Sequence, residues 1–212
     1  MLILSHRGIW KDVQEKNSVK SFHRSFELGF GTETDIRDYK GELVISHDIA
    51  TGKNITFKEF LEIYIKYDKT LPLALNIKAD GLQYKLKMLL EEYKIDNYFV
   101  FDMSVPDAIL YIRGGFKSYT RHSEFESPPS FYGLAKGVWL DQFEKDWFTE
   151  EVITKHLNNL KEVCVVSPEL HNRDYLECWG KLKKLGQKVD SIRVMLCTDY
   201  PEEARQYFCE QN

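Results

Sequence analysis

Short apolar runs alternate with stretches of helical spacing along the whole chain. The runs at residues 2–4, 71–77, 98–102, 117–121, 138–140, 163–166 and 192–196 predict strands. Residues 31–46 predict a further strand, a turn at Tyr39, Lys40 and Gly41, and a short second strand at 43–46. One helix is predicted to begin at residue 19 and end at Gly29, and another to follow a capping box formed by Thr56 and Glu59. Further helices are predicted near residues 82–93, 104–112, 149–160 and 175–185, and a last one begins at Pro201.

This alternation predicts the fold class. About eight strands separated by helices require parallel pairing, and eight such units in 212 residues predict a compact α/β protein, a TIM (β/α)8 barrel. The helix after the fifth strand is predicted to be replaced by a loop, because residues 122–135 contain Pro128 and Pro129 and no helical period. A doubly wound open sheet is the alternative fold. With no linker or internal repeat, residues 1–212 are predicted to form a single domain.

The composition indicates the class of protein and its cellular location, and it argues against some binding partners. A chain with 43% hydrophobic and 29% charged residues, and without an apolar run approaching about 18 residues, is typical of soluble globular proteins. We expect a cytoplasmic protein because no signal peptide is visible. The four cysteines have no CxxC spacing, which argues against a disulfide framework or a zinc site. The net charge of -4, without a basic stripe, argues against nucleic acid as a partner.

Polar residues gather where the predicted strands end. In a TIM barrel the carboxyl ends of the strands carry the catalytic residues, and no comparable set marks the opposite ends. The residues at these positions are His6, Arg7, Glu33, Asp35, His47, Asp48, Asn76, Lys78, Asp102, Arg121, Asp141, Glu169 and Asp199. The one-sided distribution indicates an enzyme.

Two pairs of polar residues share one spacing. Glu33 and Asp35 lie two apart on a strand and leave the same face, where a divalent cation such as Mg²⁺ or Ca²⁺ would offset their repulsion. Asn76 and Lys78 repeat the spacing, one offering a carbonyl oxygen and the other a charge suited to phosphate. The alternative interpretation is that both pairs are polar residues turned to water.

The histidines fall into two groups. His6 and His47 both follow strands and are predicted to face one pocket, where two imidazoles suit general acid and general base catalysis near neutral pH. His23, His122 and His156 are interpreted as structural or exposed.

The ordered set HRG, KNS, ETD, ISHD and LNIK, followed by LCTDYPEEA, resembles the glycerophosphodiester phosphodiesterase family most strongly over residues 4–81. The family has a TIM-barrel fold and uses a divalent metal and two histidines. The resemblance implies that His6 and His47 are its acid-base pair and that Glu33, Asp35 and Asn76 are its metal ligands. It also implies that Arg7 and Lys78 face phosphate. Asn17 matches the asparagine that opens the family's first helix.

Three features depart from that family's pattern. Asn76 stands where glutamate is usual, which removes one negative charge from the metal site. Lys16 stands where glutamate commonly precedes Asn17, and the segment between His47 and the LNIK strand is short. These departures affect the predicted metal affinity and the predicted substrate more than the assignment of His6 and His47 as the acid-base pair.

The sequence therefore predicts a metal-dependent phosphoric diester hydrolase that acts on a small soluble glycerophosphodiester or on a polyol or sugar phosphodiester. Arg121, Asp141 and Glu169 are predicted to bind substrate, together with aromatic residues of SEFESPPSFYG and WLDQFEKDWF. No stable membrane association is expected, and the sequence does not predict the oligomeric state. Two alternatives are a phospholipase D-like enzyme that releases a lipid head group and a non-catalytic phosphate-binding barrel.

Overall fold

Strands and helices alternate along the chain in the computed structural model, which describes residues 1–187 and 191–209. The strands are β1 Leu2–His6, β2 Gly31–Tyr39, β3 Glu42–Ile45, β4 Leu73–Ile77, β5 Tyr98–Phe101, β6 Tyr119–His122, β7 Gly137–Leu140, β8 Glu162–Val166 and β9 Val194–Thr198. The helices are α1 Val19–Glu27, α2 Phe57–Tyr64, α3 Gln83–Glu92, α4 Val105–Arg113, α5 Glu150–Asn158, α6 Leu176–Gly186 and α7 Pro201–Cys209.

The chain divides into two compact units. One is the Ser5–Ser118 unit, and the other consists of Met1–Leu4 with Tyr119–Asn212 and is called the Tyr119–Asn212 unit below. Strand β1 contributes residues to both. Whether the chain is a single domain over residues 1–212 stays a prediction, and residues 188–190 and 210–212 of that range lie outside the described residues.

The Ser5–Ser118 unit is built around β2. Strand β4 pairs with β2 in parallel, β5 pairs with β4 in parallel, and β3 returns antiparallel to β2. Asp35 on β2 lies opposite Asn76 on β4, and Ile36 lies opposite Ile77. Neighbouring positions in register share a face of the sheet, so Asp35 and Asn76 lie on one face and the two isoleucines on the other.

Helices α1 and α2 cover the apolar face of this sheet. Buried aromatic rings join the two helices, with the ring centroids of Phe22 and Phe60 4.7 Å apart in an edge-on contact. Thr56 and Glu59 form the predicted capping box at the start of α2, and Ser18 caps α1. Strand residues Leu73, Leu75, Ile77 and Ile36 belong to the same core. The strand face with Glu33, Asp35 and Asn76 is therefore the one turned away from these helices.

The Tyr119–Asn212 unit repeats the parallel pairing, with β9 beside β8, β8 beside β7, and β7 beside β6. Trp179 on α6 is fully buried in its core and donates its indole N–H to the Ser167 hydroxyl, with a distance of 2.8 Å from Nε1 to Oγ. Three of the cysteines, Cys164, Cys178 and Cys197, are buried in this unit, and Cys209 is exposed. All four are free cysteines.

A loop follows β6 in place of a helix, as predicted: residues 123–136, all of them described, contain no helix. The Thr120 hydroxyl donates to the Ser130 carbonyl at 2.6 Å, and the Tyr132 hydroxyl lies 2.9 Å from Nδ1 of His156 on α5. These bonds hold the loop against the unit that contains it. Among the described residues, no helix is long and apolar enough to cross a membrane.

Several strand limits differ from those predicted. β1 continues to His6, β4 begins only at Leu73, and β6 runs from Tyr119 to His122. Pro72 precedes β4 and has no N–H to donate, so the ladder starts after it. The predicted strand at 192–196 begins instead at Val194, because Ser191–Arg193 forms a short 3-10 turn.

Candidate active site

The end of β1 makes a sharp turn. Arg7 and Gly8 both have positive φ, at 62° and 80°, and the Arg7 N–H donates to the Glu33 carbonyl of β2 at 2.9 Å. A Cβ on Gly8 would lie 2.7 Å from the Ser21 backbone, so only glycine fits here. The turn keeps His6 and the Arg7 side chain beside the polar face of β2.

Asp35 is the centre of a buried ionic cluster. It is fully buried, and one of its oxygens, Oδ2, lies 2.9 Å from Arg7 Nε and accepts from the Asn17 amide at 2.8 Å. Its other oxygen, Oδ1, lies 3.5 Å from Lys78 Nζ, and the same ammonium lies 3.9 Å from Asp102 Oδ2. Two cations therefore face one carboxylate that is shielded from water, where the attraction between charges is strong.

Glu33 occupies the next position on the same face of β2. Its Oε1 accepts from the Asn76 amide at 3.3 Å, and its Oε2 lies 3.9 Å from His6 Nε2. Burial raises the pKa of the Glu33 carboxyl, and the charge of Asp35 raises it further. A bound cation would reverse this effect by favouring the charged form.

Three buried oxygen atoms of this cluster accept no hydrogen bond from any residue that the structure describes. They are Glu33 Oε2, Asp35 Oδ1 and Asn76 Oδ1, from the three predicted metal ligands. Buried polar atoms usually have partners, and oxygen is the ligand atom that Mg²⁺ and Ca²⁺ prefer. These donors fit such a cation. Within residues 1–187 and 191–209, however, no group of three or more His, Cys, Asp or Glu side chains could hold a metal ion, and the third oxygen here comes from an amide.

His47 follows β3 and is about half exposed. Its Nδ1 lies 2.9 Å from Asp48 Oδ1, and its carbonyl accepts from the Arg37 guanidinium at 3.2 Å. It lines a cavity of about 320 Å³ together with Arg7. Through Arg7, this cavity adjoins the ionic cluster around Asp35.

Asn17 has a role at the site that its position before α1 did not reveal. Ser18, and not Asn17, caps the helix. Asn17 instead lies in the left-handed region with φ 58°, donates to Asp35, and accepts from the Thr34 hydroxyl at 2.8 Å. The family resemblance points to the residue, but no pattern within the sequence indicates its contact with Asp35.

The remaining predicted substrate ligands lie in the Tyr119–Asn212 unit. Arg121 Nε lies 3.6 Å from Glu126 Oε2, and its guanidinium lies over the Phe143 ring at 5.2 Å. Asp141 is buried, and its Oδ1 lies 2.7 Å from Nε2 of His171. His171 is absent from the set of residues predicted at strand ends, because it lies on a 3-10 turn five residues beyond β8.

Glu169 is held between two strand ends of the same unit. Its Oε1 accepts from the Asp199 N–H at 3.1 Å and from the Thr198 hydroxyl. Burial raises the pKa of the Glu169 carboxyl, although these hydrogen bonds oppose that shift. The structure thus brings Glu169 and Asp199 together and ties Asp141 to His171.

The histidines interpreted as structural have protein partners. Nδ1 of His122 lies 3.0 Å from Nε2 of His156, and Nδ1 of His23 lies 2.8 Å from the Tyr67 hydroxyl. Burial lowers the pKa of His156 to about 4, so its imidazole is neutral near pH 7. Such contacts are typical of histidines that support a fold.

Comparisons with known proteins give a likeness of structure only. No family model matches the sequence, and no curated protein matches it. A protein assigned as a glycerophosphodiester phosphodiesterase from Galdieria sulphuraria matches with a TM-score of 0.75 at 20% identity, covering 99% of this chain and 98% of that one. A phosphodiesterase from Oleispira antarctica, solved with the product sn-glycerol-3-phosphate, matches at 0.70 and 15% identity, over 99% and 97% of the two chains.

A third match is the glycerophosphodiester phosphodiesterase of Agrobacterium tumefaciens, with a TM-score of 0.64 at 13% identity over 98% of each chain. All three alignments span nearly the whole of both proteins. At these identities the likeness is one of fold, and at that level it confirms the resemblance drawn from the sequence. The chain has the TIM (β/α)8-barrel fold of these phosphodiesterases.

Proposed function

We propose that the chain is a metal-dependent phosphoric diester hydrolase of the glycerophosphodiester phosphodiesterase family, which acts on a small diester of glycerol, another polyol or a sugar. The observation that carries the proposal is a set of three buried oxygens, on Glu33, Asp35 and Asn76, to which none of the residues that the structure describes donates a hydrogen bond. They lie beside the cations Arg7 and Lys78 and the imidazole of His6. Oxygen ligands, phosphate-binding cations and a titratable base together suit phosphodiester cleavage.

The cations have a defined task. Arg7 and Lys78 would bind the phosphoryl oxygens and offset the negative charge that develops on them. Asp35 holds both side chains in place, because each lies within 3.5 Å of one of its oxygens. A divalent cation held by Glu33, Asp35 and Asn76 would polarise a phosphoryl oxygen as a Lewis acid.

The two histidines would divide the proton transfers. Asp48 engages Nδ1 of His47, so Nε2 is the ring nitrogen with which His47 would exchange a proton. His6 lies near Glu33, with its Nε2 3.9 Å from Glu33 Oε2. One histidine removes a proton from water or from a neighbouring substrate hydroxyl, and the other protonates the leaving alkoxide.

The chemistry proposed for the substrate follows from the structural neighbours and from the aromatic residues. The Oleispira antarctica structure contains sn-glycerol-3-phosphate as product, which supports a glycerol phosphate moiety here. We further propose that Arg121, Asp141 and Glu169 bind polar groups of the substrate, with Phe143 offering a ring face to a polyol. The protein would act on soluble molecules in the cytoplasm.

A substrate screen tests the proposal. We expect hydrolysis of soluble glycerophosphodiesters with Mg²⁺ or Ca²⁺ and none with EDTA, because the anionic diester needs the cation in addition to Arg7 and Lys78. Release of alcohol and phosphomonoester is measured beside a phosphomonoester control, which should not be cleaved. Cleavage of liposomal lipid alone would favour a phospholipase D-like enzyme. No metal binding and no hydrolysis of any diester would favour a non-catalytic phosphate-binding barrel.

Asn76→Glu is expected to tighten Mg²⁺ binding at least about tenfold, because it adds a carboxylate charge beside the two already present. Calorimetric titration with Mg²⁺ and with Ca²⁺ measures this directly and does not depend on turnover. Asn76→Gln is the matched control, since it has the length of glutamate without the charge, and it should not tighten binding. An unchanged dissociation constant in Asn76→Glu would remove residue 76 from the metal site.

A further inference from the structure

Arg37 is the third ionisable residue on the polar face of β2. It follows Glu33 and Asp35 at the two-residue spacing of a strand, so the three side chains leave the sheet on the same side. The proposed metal site gives a task to Glu33 and Asp35 but none to Arg37. Strand β3 returns antiparallel to β2 with Val44 opposite Arg37, which places Arg37 close to the segment that follows β3.

That segment carries His47 beyond the end of the strand. β3 ends at Ile45, and the Ser46 N–H still donates to the Asp35 carbonyl of β2 at 3.0 Å. The carbonyl of the next residue, His47, accepts from the side chain of Arg37, with Nη2 3.2 Å from the oxygen. Backbone polar groups need partners, and here a side chain of β2 supplies one where the ladder has ended.

The His47 ring depends on the backbone that carries it. The side chain is about half exposed, and its Nδ1 lies 2.9 Å from Oδ1 of Asp48, which is itself almost fully exposed. The Ser46 hydroxyl donates to the Asp48 carbonyl at 2.8 Å, so this contact lies within the same segment. The hydrogen bond from Arg37, by contrast, joins the backbone of His47 directly to the sheet that holds Asp35.

The position of Arg37 is costly for the fold. Its Nε–H is buried and donates to none of the residues that the structure describes. A buried donor without an acceptor is destabilising, and such a group calls for an explanation other than stability. Methionine would fill the same space with an apolar stem of similar length and without that donor, so stability alone does not explain an arginine here.

We propose that Arg37 is a positioning residue for the proposed reaction, which holds the backbone of His47 so that the imidazole can transfer a proton. The inference rests on the proposed function, because that function makes His47 one of the two proton-transfer groups. Such a group must lie within hydrogen-bond reach of the atom that gains or loses the proton, and a small displacement lowers the rate strongly. Arg37 contacts no reacting atom in this scheme, so it should affect turnover more than substrate binding.

The test replaces the guanidinium and keeps the stem. Arg37→Met is expected to lower kcat on the best diester of the screen about tenfold and to change KM less than about twofold. Arg113→Met is the matched control, because Arg113 is an exposed arginine of the same unit at the end of α4, and it should change neither quantity. The midpoint of urea denaturation of Arg37→Met should not fall below that of the wild type, since the substitution also removes the unsatisfied Nε–H.

A double variant separates positioning from a general effect on the structure. If Arg37 acts through His47, Arg37→Met should lower the residual kcat of His47→Ala by less than about twofold, because the ring that it positions is gone. Spectra of ¹⁵N-labelled histidine side chains give a readout without turnover. The ring signals of His47, assigned by their loss in His47→Ala, should shift or broaden in Arg37→Met, whereas those of His23 should not.

Three results would overturn this proposal alone: wild-type kcat in Arg37→Met, a tenfold loss that persists in His47→Ala, or unchanged His47 ring signals. A lowered urea midpoint would assign Arg37 to the fold and overturn it as well. Failure of the wild type to hydrolyse any diester would overturn the proposed function and this inference together.

Discussion

Replacement of His47 by alanine is expected to lower kcat by about 10²- to 10⁴-fold, and replacement of His6 should have an effect of the same order. Each variant would lose one of the two groups proposed to move protons and would keep Arg7 and Lys78, the proposed phosphoryl ligands beside Asp35. Binding should therefore change less than turnover. Steady-state kinetics on the best diester of the screen, with circular dichroism to follow the fold, measure both quantities.

A histidine outside the site provides the control. His23 lies on α1 and its ring contacts the Tyr67 hydroxyl, so His23→Ala should keep wild-type turnover and lose only some stability. The pH dependence of kcat gives a second readout, because removal of one titrating group should abolish one limb of a bell-shaped profile. Wild-type turnover in either His6→Ala or His47→Ala would exclude that histidine from proton transfer.

Replacement of Asp35 by alanine should lower the free energy of unfolding by about 3 kcal/mol, the lower end of the range for breaking a buried ion pair. The variant leaves Arg7 and Lys78 without their shared counter-charge, and it leaves the Asn17 amide without an acceptor. The loss is moderated by Glu33, because removal of the Asp35 charge lowers the pKa of Glu33 and favours its ionised form. Urea denaturation measures the change.

Asp35→Asn removes the negative charge of the side chain and keeps its shape. It keeps a side-chain oxygen for Asn17 but removes the charge that Arg7 and Lys78 face, so most of the destabilisation should remain. Calorimetry should detect no Mg²⁺ binding in either variant if Asp35 is a ligand. Stability close to the wild type in Asp35→Ala would mean that the cluster contributes little to the fold, and retained Mg²⁺ binding would place the metal elsewhere.

Local patterns predicted much of the fold. The Thr56 and Glu59 capping box is formed by residues three apart, so its geometry depends on one turn of chain. The placement of Glu33 and Asp35 on one face of β2 follows from the two-residue period of a strand. The loop after β6 was predictable because two adjacent prolines and the lack of apolar periodicity argue against a helix there.

Contacts between distant segments could not be predicted from local sequence patterns. The pairing of Asp35 with Asn76 depends on the register of two strands about 40 residues apart, and the contact of Asn17 with Asp35 requires a backbone in the left-handed region. The contact of His171 with Asp141 joins segments 30 residues apart. Such partners depend on tertiary packing, which no short sequence pattern encodes.

The positions of the cysteines make it possible to measure whether the two units unfold cooperatively. Cys209 is exposed, whereas Cys164, Cys178 and Cys197 are buried in the Tyr119–Asn212 unit, and burial raises the pKa of the Cys178 thiol to about 12. A thiol reagent should therefore modify Cys209 in the native protein and the other three only when that unit opens. Because Asp35 belongs to the Ser5–Ser118 unit, thiol exposure in Asp35→Ala would report whether weakening one unit also opens the other.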